Sequence, residues 1–521
     1  MIAAACVLAP PLAAAVLAVL PAGWGARVNL LAAAITFGLT ACLPWAPAAG
    51  GGWLLADGLA VQLAVLTGFV GLTAAWFSLG HVGAEEGRLT GARLRVYHVV
   101  FQVVSGGALL AVLSDHPVAT WAALAAAAVA AAFAPGLPGT PEAAQAAWRG
   151  FVPVWAGAAL ALFGTVALHA AALPVVGPDG AAVTWSGLVD AAPGMPGAML
   201  TVAGAPLIVG YAALAALAPL HGWMPGSRAA GPAPALAVLS GAVPVAALAV
   251  LLRLRGVLAV NPEAMPPGPP LLALGLLSVL LAGFGLWRCR DAAGFFALCA
   301  TGQRGMVCLG FGLGTPAATS GGLLHLAAHT LAGAAVLQCV GAGGVARPED
   351  GRCPAHGGGG PAPSHPAPSH PASRAPFAAG VAALAGLPPF GVFAGGYLVL
   401  AEVAREAPWL LVPVGAGLLA GSWALVARLQ ELYFGRLGAP APASTPDWEH
   451  RDALPPRSDP PRETGSAGGD PERGDVGGTD EAPGRATLAG VWLNLAAALA
   501  LGVLLPAPVA AWMRAAAEAL P

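Results

Sequence analysis

The apolar positions of this chain fall in long continuous runs, separated by short polar or Pro/Gly-rich stretches. A run of about 17–25 apolar residues is long enough to cross the hydrocarbon layer of a bilayer as a helix. Such runs recur about fourteen times, with cores at residues 2–20, 28–47, 58–80, 97–114, 117–134, 151–173, 198–220, 232–252, 269–288, 294–313, 321–343, 375–400, 408–433 and 487–513. The period-two alternation of a membrane β-barrel is absent from them. The pattern predicts an all-α polytopic membrane protein of about 14 transmembrane helices. The first run, from Ile2, has no basic residues ahead of it, so it is expected to be a retained span and not a cleaved signal.

Two runs are interrupted in a similar way. The first interruption is Pro219-Leu220-His221-Gly222-Trp223-Met224-Pro225. Each proline removes a backbone donor and clashes with the preceding turn. Within a bilayer the freed carbonyls need other partners, so such a break belongs where the backbone is enclosed by protein or lines a cavity. A plain loop at the membrane surface is the alternative. The second interruption, Gly386-Leu387-Pro388-Pro389-Phe390-Gly391, falls about five spans later. Paired interruptions at corresponding positions are what an internally duplicated transporter would show. Pro219, Trp223, Pro225, Pro388 and Pro389 are therefore the helix-break positions.

Charge supports the span count. Loops after odd-numbered spans carry Arg27, Arg88, Arg93, Arg95, Arg149, Arg288, Arg374 and Arg436 among others, and those after even-numbered spans only Arg253, Arg255 and Arg405. This asymmetry predicts cytoplasmic odd loops and both termini outside. Two segments, 344–374 and 437–486, lack the apolar content to bury a core and are expected to be disordered cytoplasmic loops. The expected organisation is then 1–94, N-terminal helices; 95–256, a first repeat; 257–343 and 375–436, the two parts of a second repeat; and 487–521, a C-terminal helix.

Composition narrows the function classes. The 521 residues are 57% hydrophobic and 9% charged, with mean hydropathy +0.74, which no soluble globular class matches. The seven cysteines have no C-x-x-C or zinc spacing, so no metal or iron–sulfur site is expected, and the short run of His356, His365 and His370 is not assigned one. No nucleotide-binding loop, nucleophile elbow or basic aromatic face is present, which argues against a redox cofactor, catalysis by this chain itself, or a nucleic-acid partner. All 23 basic residues are arginine.

Candidate chemistry lies in the spans. His325 and His329, four apart on the eleventh span, share a helix face, and stacked imidazoles with water could relay a proton. A pair of neutral packing histidines is the alternative. Gln303 and Arg304 lie well inside the tenth span, where an arginine needs a counter-group or a wet cavity. Glu402, Glu406 and Glu431 are the candidate partners. With His221 at the first break, these residues are the proton-path candidates.

The segments PLHGWMPGSRAAGPAPALAVLSG, RDAAGFFALCATGQRGM, LLHLAAHTLAG and GLPPFGVF, in that order, resemble the antiporter-like membrane subunits of respiratory complex I, Mrp antiporters and group 4 hydrogenases. Thr140–Ala172 and the run from Gly312 to His329 are most similar to hydrogenase-4 component F. The resemblance covers roughly Arg95 to Gly435. It implies two inverted five-helix repeats, each with one broken helix, in a bacterial inner membrane. It also implies a proton relay built from one glutamate and several lysines buried at mid-membrane. A buried lysine serves because desolvation brings its pKa toward neutrality, whereas arginine stays charged. In this chain those positions are Ala125, Leu214, Val245, Gly333 and Gly396, while the polar pair after the tryptophan motif is Gly226 and Arg228. Drift from lysine to arginine would leave arginine there, not leucine, valine and glycine. The chain ends soon after its last span, without the long lateral helix of subunit L, which favours a component F, M or N type.

Three functions compete. The first is a non-catalytic subunit of a hydrogenase-4 or NADH-quinone oxidoreductase type complex, packed against other membrane subunits in the lipid bilayer, with proton translocation impaired. The second is an ion or inorganic-carbon transporter subunit acting with a soluble partner, which needs a continuous wet path. The third is a purely structural assembly subunit.

Overall fold

The computed structural model describes residues 1–46, 52–85, 91–177, 183–223, 233–289, 292–342, 371–434 and 485–518. Pro225, Gly226, Arg228, the His356/His365/His370 run and most of both polar linkers lie outside the described residues. Among the described residues there are seventeen α-helices and no strand, only an isolated bridge between Leu54 and Ser114. They are α1 (Ile2–Val19), α2 (Ala22–Cys42), α3 (Gly58–Glu85), α4 (Gly91–Leu113), α5 (Pro117–Phe133), α6 (Pro141–Val176), α7 (Trp185–Ala191), α8 (Gly197–Leu214) and α9 (Ala233–Ala259). These are followed by α10 (Gly268–Gly285), α11 (Ala292–Leu313), α12 (Pro316–Ala342), α13 (Pro371–Leu384), α14 (Gly391–Glu406), α15 (Leu411–Phe434), α16 (Arg485–Val503) and α17 (Ala507–Glu518).

Eleven of the helices, or stretches within them, are long and apolar enough to cross a membrane: α1 to α6, α8, α9, α10, α12 and α15. The rest have identifiable reasons for falling outside this set. Gln303 and Arg304 lower the hydropathy of α11 at its middle. Helices α13 and α14 are the two short halves of the expected twelfth span, parted at Ala385–Phe390. Helix α16 joins α17 through a 71° bend. The expected seventh span, 198–220, is helical only to Leu214. Helices α13 and α16 start at Pro371 and Arg485, a few residues inside the segments expected to be loop.

Helices α9 and α12 are the most enclosed, while α1, α2, α6, α10 and α15 leave broad apolar faces outward. Without a hydrophobic drive between helices in lipid, close backbone approach at small residues holds such a bundle together. Helix α6 meets α8 this way: a Cβ on Gly157 would lie 2.7 Å from Ala213 Cβ, and one on Gly210 would lie 2.6 Å from Ala161 N. Helix α10 meets α11 through Gly275 and Gly305, where a Cβ on either would lie 2.7–2.8 Å from the other's carbonyl oxygen.

Polar side chains fasten helix ends. Asp57 accepts from Ala60 N at 2.8 Å, capping α3. Its two oxygens also take a forked pair of bonds from Arg253 on α9, at 2.9 and 3.1 Å. Arg255, two residues on and on the opposite side of α9, donates to the Gly314 carbonyl at 2.9 Å beyond the end of α11.

Candidate functional site

Both interruptions adopt one backbone plan. At the first, amides of Ala215, Ala216, Leu217 and Leu220 donate to the carbonyls of Tyr211, Ala213, Ala212 and Leu217. At the second, Ala385, Gly386, Leu387 and Phe390 donate to Val381, Ala383, Ala382 and Leu387, the same four bonds in the same order. The residue that turns the chain has positive φ in each, 52° at Ala216 and 73° at Gly386. Each break contains a cis proline bond, Ala218–Pro219 and Pro388–Pro389.

Side chains also bond to backbone groups at the breaks. Trp223, almost fully buried, donates its indole Nε1 to the Ala213 carbonyl at 2.8 Å. Ser278 on α10 accepts from Ala218 N at 2.9 Å. At the second break, Gln303 Nε2 donates to the Leu384 carbonyl at 2.8 Å and Ser422 Oγ to the Ala385 carbonyl at 3.0 Å. Residues 211–218 and 383–385, which lead into the breaks, are buried, whereas Pro219, Gly222, Leu387, Pro388 and Pro389 are exposed.

His325 stands between the two halves of the second broken helix. Its Nε2 lies 2.7 Å from Gln303 Oε1 and its Nδ1 lies 3.1 Å from the Val392 carbonyl in the first turn of α14. The Leu384 carbonyl only accepts, so it turns the Gln303 amide nitrogen toward itself and leaves Oε1 facing the imidazole. Both ring nitrogens therefore face acceptors. A neutral imidazole has one N–H and an imidazolium has two. The neutral ring donates to one of the two acceptors.

The histidine pair is looser than the sequence suggested. The rings of His325 and His329 lie 6.1 Å apart between centroids and tilted by 48°, so they neither stack nor bond directly. His329 instead lines a cavity of about 20 Å³ together with Arg304, Thr330, Gly333 and Leu384, space for about one water. A second cavity of about 40 Å³ lies against Gln303, Leu384 and Ser422. The sequence suggested Glu402, Glu406 or Glu431 for Arg304. Glu402 accepts from Thr315 Oγ1 at 2.7 Å and from Arg405 at 3.3 Å, Glu406 is exposed, and the side chain of Glu431 lies outside the described residues. His221 is half-buried on the first break.

The expected relay positions divide by half. Ala125 on α5, Leu214 at the end of α8 and Val245 on α9 are 6%, 0% and 2% exposed, and Leu214 and Val245 belong to the apolar core. Gly333 and Gly396 sit beside polar groups instead. A Cβ on Gly333 would meet nothing within 4 Å, in the cavity of Arg304 and His329, and one on Gly396 would lie 3.5 Å from His325 Nδ1. Sequence reasoning missed Ser278 and Ser422. The only signal was a lone hydroxyl in an apolar run, which many spans carry for other reasons.

The chain matches the family described as NADH:quinone oxidoreductase/Mrp antiporter, TM, over residues 139–420. It is 32% identical, over 74% of its own length and 80% of the relative's, to a hydrogenase-4 component F homolog of Methylacidiphilum infernorum. Among solved structures it is similar to a chain of respiratory complex I from Thermus thermophilus, at TM-score 0.71 and 18% identity, with 100% of each chain covered. It is equally similar to a chain of the Mrp complex from Dietzia sp., at TM-score 0.71 and 18% identity, covering 99% of this chain and 96% of that one. The long apolar helices, the two matching helix breaks and these matches identify the chain as a multi-pass membrane protein of the antiporter-like family of complex I, Mrp and hydrogenase-4 membrane subunits.

Proposed function

We propose that this protein is a non-catalytic, antiporter-like subunit of a hydrogenase-4 or NADH-quinone oxidoreductase type complex in a bacterial cytoplasmic membrane. It packs against other membrane subunits there, and its ordinary proton pumping is impaired. The relatives' assembly in multi-subunit complexes supports the partners. The matched backbone bonds of the two breaks support a reading as two inverted five-helix repeats within fourteen spans, and the arginine asymmetry supports both termini outside.

The observation that carries the impairment is the apolar burial of Ala125, Leu214 and Val245. A proton crossing that half meets no group able to hold it, and moving a charge through an apolar seam is costly. The second half differs. Its His325 ring lies between two acceptors, Gln303 Oε1 and the Val392 carbonyl, and the Arg304 and His329 cavity has room for water. The reading is thus a subunit with polar groups in one half and no through-path.

The test is a pH-gradient assay on proteoliposomes holding the purified protein, alone and in its native complex. Flux at the level of protein-free vesicles is expected, unchanged in His325→Ala and His329→Ala. Flux that those two substitutions abolish refutes the impairment. Affinity capture from native membranes tests the assembly. Hydrogenase-like or quinone-reductase subunits are expected, and a lone soluble partner would favour ion or inorganic-carbon transport instead.

A further inference from the structure

The two breaks share a backbone plan but not a surface. Their matching hydrogen bonds pair Leu217 with Leu387 and, next along, Ala218 with Pro388. In the first break Leu217 and Ala218 are both 0% exposed. The cover there includes α10, whose Ser278 accepts from Ala218 N at 2.9 Å. In the second break Leu387 is 44% exposed, and Pro388 and Pro389 are exposed with it. Only the inward side of this break is packed. A Cβ on Gly391 would lie 2.9 Å from Ala328 Cβ on α12 and 3.0 Å from Leu501 Cβ on α16, and the Pro389 carbonyl lies against Gly502. On the outward side of α14, Phe393 and Tyr397 are 44% and 62% exposed, with their rings stacked 6.3 Å apart.

Depth makes this exposure informative. Helix α13 has 14 residues and α14 has 16, about 21 and 24 Å at the helical rise, so the break between them falls near the middle of the membrane. The carbonyls of Gly386 and Pro388 accept no hydrogen bond from the described residues, and lipid chains have none to give. Irregular backbone at that depth stands only where protein encloses it or a water-filled cavity adjoins it. Water needs polar partners, whereas Leu387, Pro388, Pro389 and Phe393 are apolar, so protein is the cover that fits. The first break shows its kind: an apolar helix with a hydroxyl within the span, as α10 brings Ser278. Among the described residues no helix of this chain covers Leu387 in that way.

We propose that the outward face of the second break, formed by Leu387, Pro388 and Pro389 with Phe393 and Tyr397, seats a transmembrane helix of a neighbouring membrane subunit. That helix carries a hydroxyl or amide side chain at mid-membrane, which donates to the freed carbonyls; such side chains join helices across a bilayer interior. It does for the second break what α10 does for the first. The contact is heterologous, since the chain's other break already has its cover. The proposal rests on the reading of this chain as a subunit of a membrane complex and adds where a neighbour sits. It does not depend on whether protons move.

The experiment is photo-cross-linking of the full chain in its native membranes. One variant carries p-benzoylphenylalanine in place of Leu387, and a second carries it in place of Tyr397, whose aromatic ring it retains. After irradiation the tagged chain is purified and its adducts are identified by mass spectrometry. The expected adduct is a transmembrane peptide of another subunit that affinity capture also recovers, lost when detergent dissociates the complex before irradiation. Adducts with lipid alone at both positions overturn the proposal, and so do adducts with a second copy of this chain. Affinity capture separates the two ways of failing. Lipid-only adducts beside captured subunits remove this seat and leave the complex, whereas lipid-only adducts with nothing captured remove both. If the variant at Leu387 does not assemble, the one at Tyr397 decides.

Discussion

At the scale of single residues the second break turns on Gln303. Its amide donates to Leu384 O and accepts from His325, so one side chain ties α11 to both α13 and α12. Gln303→Leu leaves a buried carbonyl and a ring nitrogen without partners, each an unsatisfied group worth about 1–3 kcal/mol. A loss of about 2–4 kcal/mol in unfolding free energy is expected, read by thermal or denaturant unfolding in detergent. The sequence made part of this visible, because His325, His329 and Gln303 stood out as polar residues in apolar spans. It could not show that His325 pairs across helices and not with His329. Four-residue spacing puts two rings on one face without saying what the neighbouring helices offer each of them.

At the scale of elements, the two breaks were legible because proline and glycine leave a local signature that needs no tertiary contact. Their partners were not, since Ser278, Ser422 and the Trp223 indole arrive from helices or turns that periodicity cannot place. The shared plan also makes a contrast between Ala216 and Gly386, which adopt the same left-handed turn. An L side chain in that region costs about 1–2 kcal/mol, which glycine avoids. Gly386→Ala should therefore destabilise by about 1 kcal/mol, with open space around the new methyl. Ala216→Gly relieves the turn but adds unfolded-state freedom worth about 0.5–1 kcal/mol, so the two nearly cancel. The pair of melting temperatures in one detergent checks this: a fall at Gly386 with little change at Ala216. Equal falls would mean that Ala216 is held by packing and not by its turn.

At the scale of the whole molecule, the sequence revealed a many-span bundle and its charge asymmetry, but not how the N-terminal helices join the rest. Arg253 stood only as a loop charge, and Asp57 was not singled out. In the fold they connect α3, which precedes the family-matched residues, to α9 at the centre. Arg253 is 6% and Asp57 32% exposed, so the pair is neither a screened surface contact nor a fully desolvated one. Removing one partner of a buried pair costs about 3–5 kcal/mol, and an exposed pair contributes about 0–1 kcal/mol. Half-burial of Asp57 places Arg253→Ala between these, at about 2 kcal/mol. Asp57 has a second duty as the cap of α3, so Asp57→Asn, which can still accept from Ala60 N, isolates the ionic part. A double-mutant cycle of Asp57→Asn with Arg253→Ala, measured by unfolding in nanodiscs, should give a coupling of about 1–2 kcal/mol. Coupling near zero would make the fork a surface contact and leave the small-residue helix contacts as the main join. A coupling of the expected size, together with earlier proteolysis of the N-terminal helices in Arg253→Ala, would establish the pair as the fastening between the first three helices and the antiporter-like unit.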